Sequence, residues 1–268
     1  MIVIHGTPWG SGVWVPYAKA PSSRYRVFIF DNPGYGQSSA VESVRDGSLS
    51  ASIATQARAF AALFHHCWGP PSSIQKPHVV AHDYGGIIGL RATLLHDCQY
   101  ASLCLIDVVA VRPFSSPFFR LVAKNEDVFN QIPEANFEGL VRAYINGGRY
   151  KPPPPGVEDM LAGPWLAGGS QGQTALIRQM VQIDQKDVEE VDSRYGEVRK
   201  DIPVKVIWGI DDQWIPVDRA QKLGDMIGAK EVVLVEEASH LIMYDQPELA
   251  SIEIALWLSE VAPAPKGW

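Results

Sequence analysis

The chain has 268 residues, with 23 Lys+Arg against 30 Asp+Glu for a formal charge of −7, 46% hydrophobic and 20% charged residues. That length supports one large domain with a well-buried core, and the ordinary composition argues against disorder, fibrous repeats and a disulfide scaffold. A net acidic balance with no Lys/Arg block gives a phosphate backbone nothing to bind, so no nucleic-acid partner is expected.

The opening strand, Ile2–Ile4, runs straight into His5-Gly6-Thr7-Pro8. It is too short for a signal-peptide core and carries no basic leader. No apolar run approaches the roughly 18 residues of a membrane span. A soluble, cytoplasmic protein without a membrane partner is the expectation. Three cysteines, Cys67, Cys98 and Cys104, are an odd number without metal-ligand spacing, so neither zinc nor paired disulfides are expected.

Next comes a strand at Arg26–Phe30, a turn over Asp31–Ser38, and a helix over Leu49–His66 with apolar residues at helical spacing. A strand at His78–Ala81, a helix at Ile87–His96 and a strand at Ser102–Ile106 follow. From about Arg112 to Lys200 the alternation stops. Helical stretches at Pro117–Phe129, Ala135–Ile145, Gly172–Ile183 and Val188–Val198 are separated by Pro/Gly-rich loops at Lys151–Gly156 and Ala162–Gly172. Strands return at Val204–Trp208 and Glu231–Val235, with helices at Pro216–Ile227 and Gln246–Leu258. The alternation predicts an α/β fold with a mostly parallel sheet between helices. The break predicts a core of residues 1–111 and 201–268 and a helical cap, or lid, over 112–200.

The chemistry concentrates after three strands. In Val79-Val80-Ala81-His82-Asp83-Tyr84-Gly85-Gly86 a strand ends in small-x-Asp-x-Gly and passes at once into a helix. A tight strand-to-helix corner of this kind presents its central side chain to a site, and small neighbours let the backbone fold on itself. The helix N-terminus favours an anion there, although an Asp also serves as an ordinary helix cap. A second loop, Trp208-Gly209-Ile210-Asp211-Asp212-Gln213-Trp214, carries carboxylates, and a third, Glu237-Ala238-Ser239-His240, carries a histidine. Nucleophile, acid and base thus follow in order at the sheet edge where ligands of open α/β sheets collect.

With those residues together, the sequence resembles the α/β-hydrolase superfamily, and within it the Asp-nucleophile branch of epoxide hydrolases and haloalkane dehalogenases. The resemblance rests on His5-Gly6-Thr7-Pro8, Asp31-Asn32-Pro33-Gly34-Tyr35-Gly36-Gln37-Ser38, the Asp83 elbow, Trp208-Gly209-Ile210-Asp211-Asp212 and Ser239-His240. It implies Asp83 as nucleophile, His240 as base and Asp212 as the orienting acid, with Asp107 the alternative acid. The oxyanion hole would be the N–H groups of Thr7 and Tyr84. It also implies a cap between the sixth and seventh family strands, and the family's first two strands are missing ahead of Ile2. An exposed Arg26–Phe30 edge would then favour a homodimer.

An epoxide hydrolase is the expected activity, on a small hydrophobic organic substrate and water, with no cofactor and no metal. Tyr144 is the first choice of proton donor, with Tyr150 and Tyr195 competing for a second place. A haloalkane dehalogenase is the alternative. Its usual halide donors are replaced here by Thr7 and Tyr84, so Trp9, Trp165 or Trp214 would have to substitute. An ester or lactone hydrolase, a natural-product enzyme on the same triad, and a non-catalytic binder are further alternatives.

Overall fold

The computed structural model describes residues 1–43, 46–69 and 76–261, so the last residues of the expected 201–268 segment lie outside it. The chain opens with β1 (Ile2–Ile4), a short helix α1 (Val15–Ala18) and β2 (Phe28–Ile29). A two-stranded antiparallel hairpin of β3 (Val41–Glu42) and β4 (Leu49–Ser50) leads to α2 (Ile53–Trp68). Then come β5 (His78–His82), α3 (Tyr84–Leu95) and β6 (Ser102–Ile106). Seven helices follow without a strand: α4 (Pro117–Lys124), α5 (Glu126–Asn130), α6 (Glu134–Asn146), α7 (Val157–Leu166), α8 (Ser170–Val181), α9 (Lys186–Asp192) and α10 (Tyr195–Val198). The chain closes with β7 (Val204–Gly209), α11 (Asp218–Ile227), β8 (Glu231–Val235), α12 (Ile242–Asp245) and α13 (Pro247–Val261).

Six strands form one parallel sheet in the order β2-β1-β5-β6-β7-β8. The central strands β1, β5, β6 and β7 are buried at every position. That burial explains their unbroken apolar runs, because helices cover both faces. On α2 the spacing of Ile53, Ala57, Phe60, Ala61 and Phe64 places all five in the core. Its start is fixed by Ser52, whose hydroxyl accepts the Thr55 N–H.

Local expectations differ from the structure at several places. The second strand is Phe28–Ile29 only, at the sheet edge, where half its pairing partners are lacking. Leu49 and Ser50, expected in a helix, pair with Val41 and Glu42 instead, since the helix cannot begin before its Ser52 cap. Residues 162–166, expected as loop, are helical despite Pro164. Burial of Leu161, Ala162 and Trp165 there offsets the hydrogen bond that a proline forfeits. Among the described residues no helix is long and apolar enough to cross a membrane.

Candidate active site

The parallel register aligns His82 with Ile106 and Ile106 with Ile207, so the chain leaves β5, β6 and β7 side by side. Asp83 sits one residue past β5 at φ 51°, ψ −124°, a strained corner for a non-glycine residue. Its backbone is held by neighbours: its carbonyl accepts the Gly86 and Val109 N–H groups, and its own N–H donates to the Ile106 carbonyl. Glycines make the corner. A Cβ on Gly6 would lie 2.3 Å from the Asp83 Cβ, and one on Gly85 would lie 2.5 Å from the Ile4 carbonyl oxygen.

At this corner Asp83 joins an unbroken hydrogen-bonded chain. Its Oδ2 lies 3.2 Å from His240 Nε2, and His240 Nδ1 lies 2.8 Å from Asp212 Oδ2. The other Asp83 oxygen, Oδ1, accepts the Thr7 N–H at 2.7 Å. Tyr84 opens α3, and the first N–H groups of a helix have no partner within the helix. Asp212 uses its remaining oxygen to accept the N–H groups of Trp214 and Ile215, at 2.8 and 2.9 Å. One carboxylate therefore fixes both the imidazole and the loop that follows it.

Asp107 is not part of that chain. It is fully buried one residue past β6, with Oδ1 accepting the Gly209 N–H at 2.8 Å and Oδ2 without a partner among the described residues. Burial, reinforced by the nearby Asp212 charge, pushes its pKa well above the usual carboxylate range.

Burial alone would lower the His240 pKa, but the charge and hydrogen bond of Asp212, and then those of Asp83, hold it well above the ordinary value. Burial works the other way on Asp83; the His240 hydrogen bond and charge outweigh it and keep the carboxylate ionised. Two further histidines flank the site as neutral groups. His82 is driven down to about 3 by burial and by His240, and its Nε2–H donates to the His240 carbonyl. His5 accepts the Asn32 N–H at Nε2 and donates from Nδ1 to the Gly6 carbonyl.

Aromatic rings cover the imidazole. Trp9 and Trp214 stack at 5.4 Å and 6°, and Trp214 stacks on Tyr144 at 4.3 Å and 15°. Trp214 and Trp9 lie 4.9 and 5.9 Å from the His240 ring. Trp9 comes from the loop after β1, Trp214 from the loop after β7 and Tyr144 from α6. Trp165, on α7, donates its indole N–H to the Pro8 carbonyl and packs edge-on to Tyr35. Of the three tyrosines expected as proton donors, only Tyr144 reaches the site. Burial and the Asp83 charge keep its phenol protonated.

The other two are elsewhere. Tyr195 is fully buried and donates to the Ala110 carbonyl at 2.9 Å, because its short helix packs against the base of the loop after β6. Tyr150 is 50% exposed, its N–H tied to Asp245, since the turn after α6 carries it outward. A different tyrosine is present instead. Tyr35, in the turn over Asp31–Ser38, donates to Thr7 Oγ1 at 2.8 Å and is buried. Its position in a Gly-rich turn pointed to a buttress rather than to a site. Among the described residues no cluster of three His, Cys, Asp or Glu side chains is placed to hold a metal ion.

Comparison with known proteins agrees with this architecture. The model of the alpha/beta hydrolase family matches residues 1–251. A solved alpha/beta hydrolase fold protein from Burkholderia ambifaria is 37% identical, with a TM-score of 0.84 over 94% of this chain and 88% of its own. The 2-hydroxy-6-oxo-6-phenylhexa-2,4-dienoate hydrolase of Comamonas testosteroni is 24% identical over 92% of this chain and 83% of its own length. A fluoroacetate dehalogenase from a Burkholderia species is 27% identical over 46% of this chain and 39% of its own. On the family match and the sheet, the chain belongs to the alpha/beta hydrolase family and is a hydrolase of that fold.

Proposed function

We infer that this hydrolase works through a covalent alkyl-enzyme ester on Asp83, with a small hydrophobic epoxide as the best-fitting substrate. The observation that carries the reading is the chain Asp83–His240–Asp212 with an aspartate, not a serine, at the elbow. An ionised carboxylate needs no base to become a nucleophile; it attacks a saturated carbon in line. As the Asp83 O–C bond forms, the epoxide C–O bond breaks, and the resulting alkoxide takes the Tyr144 phenol proton. His240 then takes a proton from water, and the hydroxide adds to the Asp83 carbonyl carbon. The tetrahedral oxyanion rests on the Thr7 and Tyr84 N–H groups. Its collapse releases the diol, restores the Asp83 carboxylate and lets the proton held on His240 return to the Tyr144 phenolate.

The electrostatics fit this order of events. Alkylation removes the Asp83 charge, which is one of the influences that raise the His240 pKa. Its loss lowers the His240 pKa and favours the neutral imidazole, the form that can take a proton from water. The helices between β6 and β7 serve in this reading as the cap, with Tyr144 on its inner side.

A second reading, halide displacement by the same nucleophile, is favoured by one feature. The Trp9 indole N–H is buried beside His240 without an acceptor among the described residues, a donor that a departing halide would satisfy. The local similarity to a fluoroacetate dehalogenase supports it as well.

A His240→Gln variant, incubated with a panel of epoxides and alkyl halides and then digested, tests both readings by mass spectrometry. Adducts of substrate mass on the peptide containing Asp83, formed from epoxides, are the expected result. Adducts from halides alone would replace the first reading by the second. Product formation by the parent enzyme with no adduct in the variant would overturn the covalent mechanism.

A further inference from the structure

With Tyr150 and Tyr195 turned away, the opening of a C–O bond at Asp83 has one phenol, Tyr144, and no second donor from the helical segment. The core supplies one. Thr7 is 2% exposed and its backbone N–H already holds Asp83 Oδ1 at 2.7 Å, so the residue stands at the edge of the reactive carboxylate. A hydroxyl carries one hydrogen and can accept twice. At Thr7 Oγ1 the Tyr35 phenol fills an acceptor position at 2.8 Å, and the Thr7 hydrogen itself has no protein acceptor among the described residues. Tyr35 is in turn fixed by its neighbours: His5 meets its ring edge-on at 5.0 Å, and Trp165 does so at 5.5 Å from the opposite chain segment. Beside them, Gly6, Tyr35 and Tyr84 line a cavity of about 10 Å³.

We propose that the Thr7 hydroxyl is a catalytic donor that hydrogen-bonds the oxygen leaving the attacked carbon, and that Tyr35 is the positioning residue that aims it. The inference rests on the reading of Asp83 as nucleophile. No proton changes owner at Thr7: the alkoxide is stabilised by the Thr7 O–H while Tyr144 supplies the proton. A hydroxyl that accepts from one phenol is a better donor to the next oxygen, because successive hydrogen bonds polarise one another. Thr7 therefore acts twice, with its N–H on the ester oxygen and its O–H on the leaving oxygen.

The test uses the rate of adduct formation on Asp83 in the His240→Gln background, which isolates the first chemical step. Thr7→Val keeps the backbone N–H and the shape but removes the hydroxyl. It should slow alkylation by an epoxide roughly 10²-fold, the scale of losing one donor to a developing oxyanion. Thr7→Ser, which keeps the hydroxyl, should stay within several-fold of the parent. Tyr35→Phe should slow the step roughly tenfold alone and add nothing once Thr7 is Val. Alkylation by Thr7→Val at the parental rate overturns the proposal, and so does a Thr7→Ser variant as slow as Thr7→Val. An additive Tyr35→Phe effect in the Val background overturns the positioning role. Absence of any adduct in the His240→Gln parent would instead remove the Asp83 reading itself, so the two failures are told apart.

Discussion

Two carboxyl groups lie at adjacent strand ends and only one is hydrogen-bonded to His240. Asp212 touches His240 Nδ1 at 2.8 Å, whereas Asp107 gives its bonded oxygen to the Gly209 N–H. The family resemblance, with its acid three residues after Gly209, favoured Asp212, and in the structure Asp212 hydrogen-bonds His240 while Asp107 accepts the Gly209 N–H. An amide oxygen can still accept the Gly209 N–H, so Asp107→Asn should retain turnover within a few-fold of the parent. Asp212→Asn should lower turnover by roughly 10³–10⁴-fold, as when the orienting acid of a catalytic triad is lost. Steady-state rates of the two variants on one substrate check the contrast; equal losses would assign the orienting role to both. The site tyrosines were far less legible. Which face of α6 or α10 turns inward depends on packing across the molecule, not on the residues beside Tyr144 or Tyr195. Tyr35 was hidden because its segment reads fully as a turn.

At the scale of elements, the elbow was the most legible feature because steric demand leaves a mark on the sequence. Gly6, Gly85 and Gly86 each stand where a Cβ would overlap another group. Gly85→Ala would press a methyl against the β1 backbone, 2.5 Å from the Ile4 carbonyl oxygen, and should destabilise the fold by about 1–3 kcal/mol or more. Gly139, exposed on α6 with nothing within 4 Å, gives the opposite case. Gly139→Ala should stabilise by up to about 1 kcal/mol through helix propensity. Urea midpoints of the two variants read both signs. The helical segment was less legible in its details. Asn125 divides the expected Pro117–Phe129 helix into α4 and α5, and Pro164 sits inside α7 because Trp165 and Leu161 are buried there.

For the whole molecule, the buried histidines tie stability to pH. His82 titrates at about 3 in the folded chain and His5 is also lowered, both through burial, against an ordinary value of 6.5. Groups with depressed folded values contribute stability present above 6.5 and lost progressively as pH falls toward the folded value. His240, raised in the folded state, contributes fully below 6.5 and loses that contribution only as pH rises through its folded value. Asp107, also raised, opposes the histidines as pH falls, so the comparison is with a His82→Gln variant. Between pH 6.5 and about 4 the parent should lose more stability than the variant, a difference on the order of a few kcal/mol in urea unfolding. Parallel pH curves would mean that His82 is not held neutral. The same core holds Asp83 and His240 in register, and the covalent cycle proposed for them leaves a chemical mark. During turnover of an epoxide in heavy-oxygen water, the hydroxide adds to the Asp83 carbonyl carbon rather than to the substrate. Mass spectrometry should therefore find heavy oxygen in the peptide containing Asp83, with the product of the first turnover unlabelled. A labelled first-turnover product and an unlabelled Asp83 peptide would contradict the account.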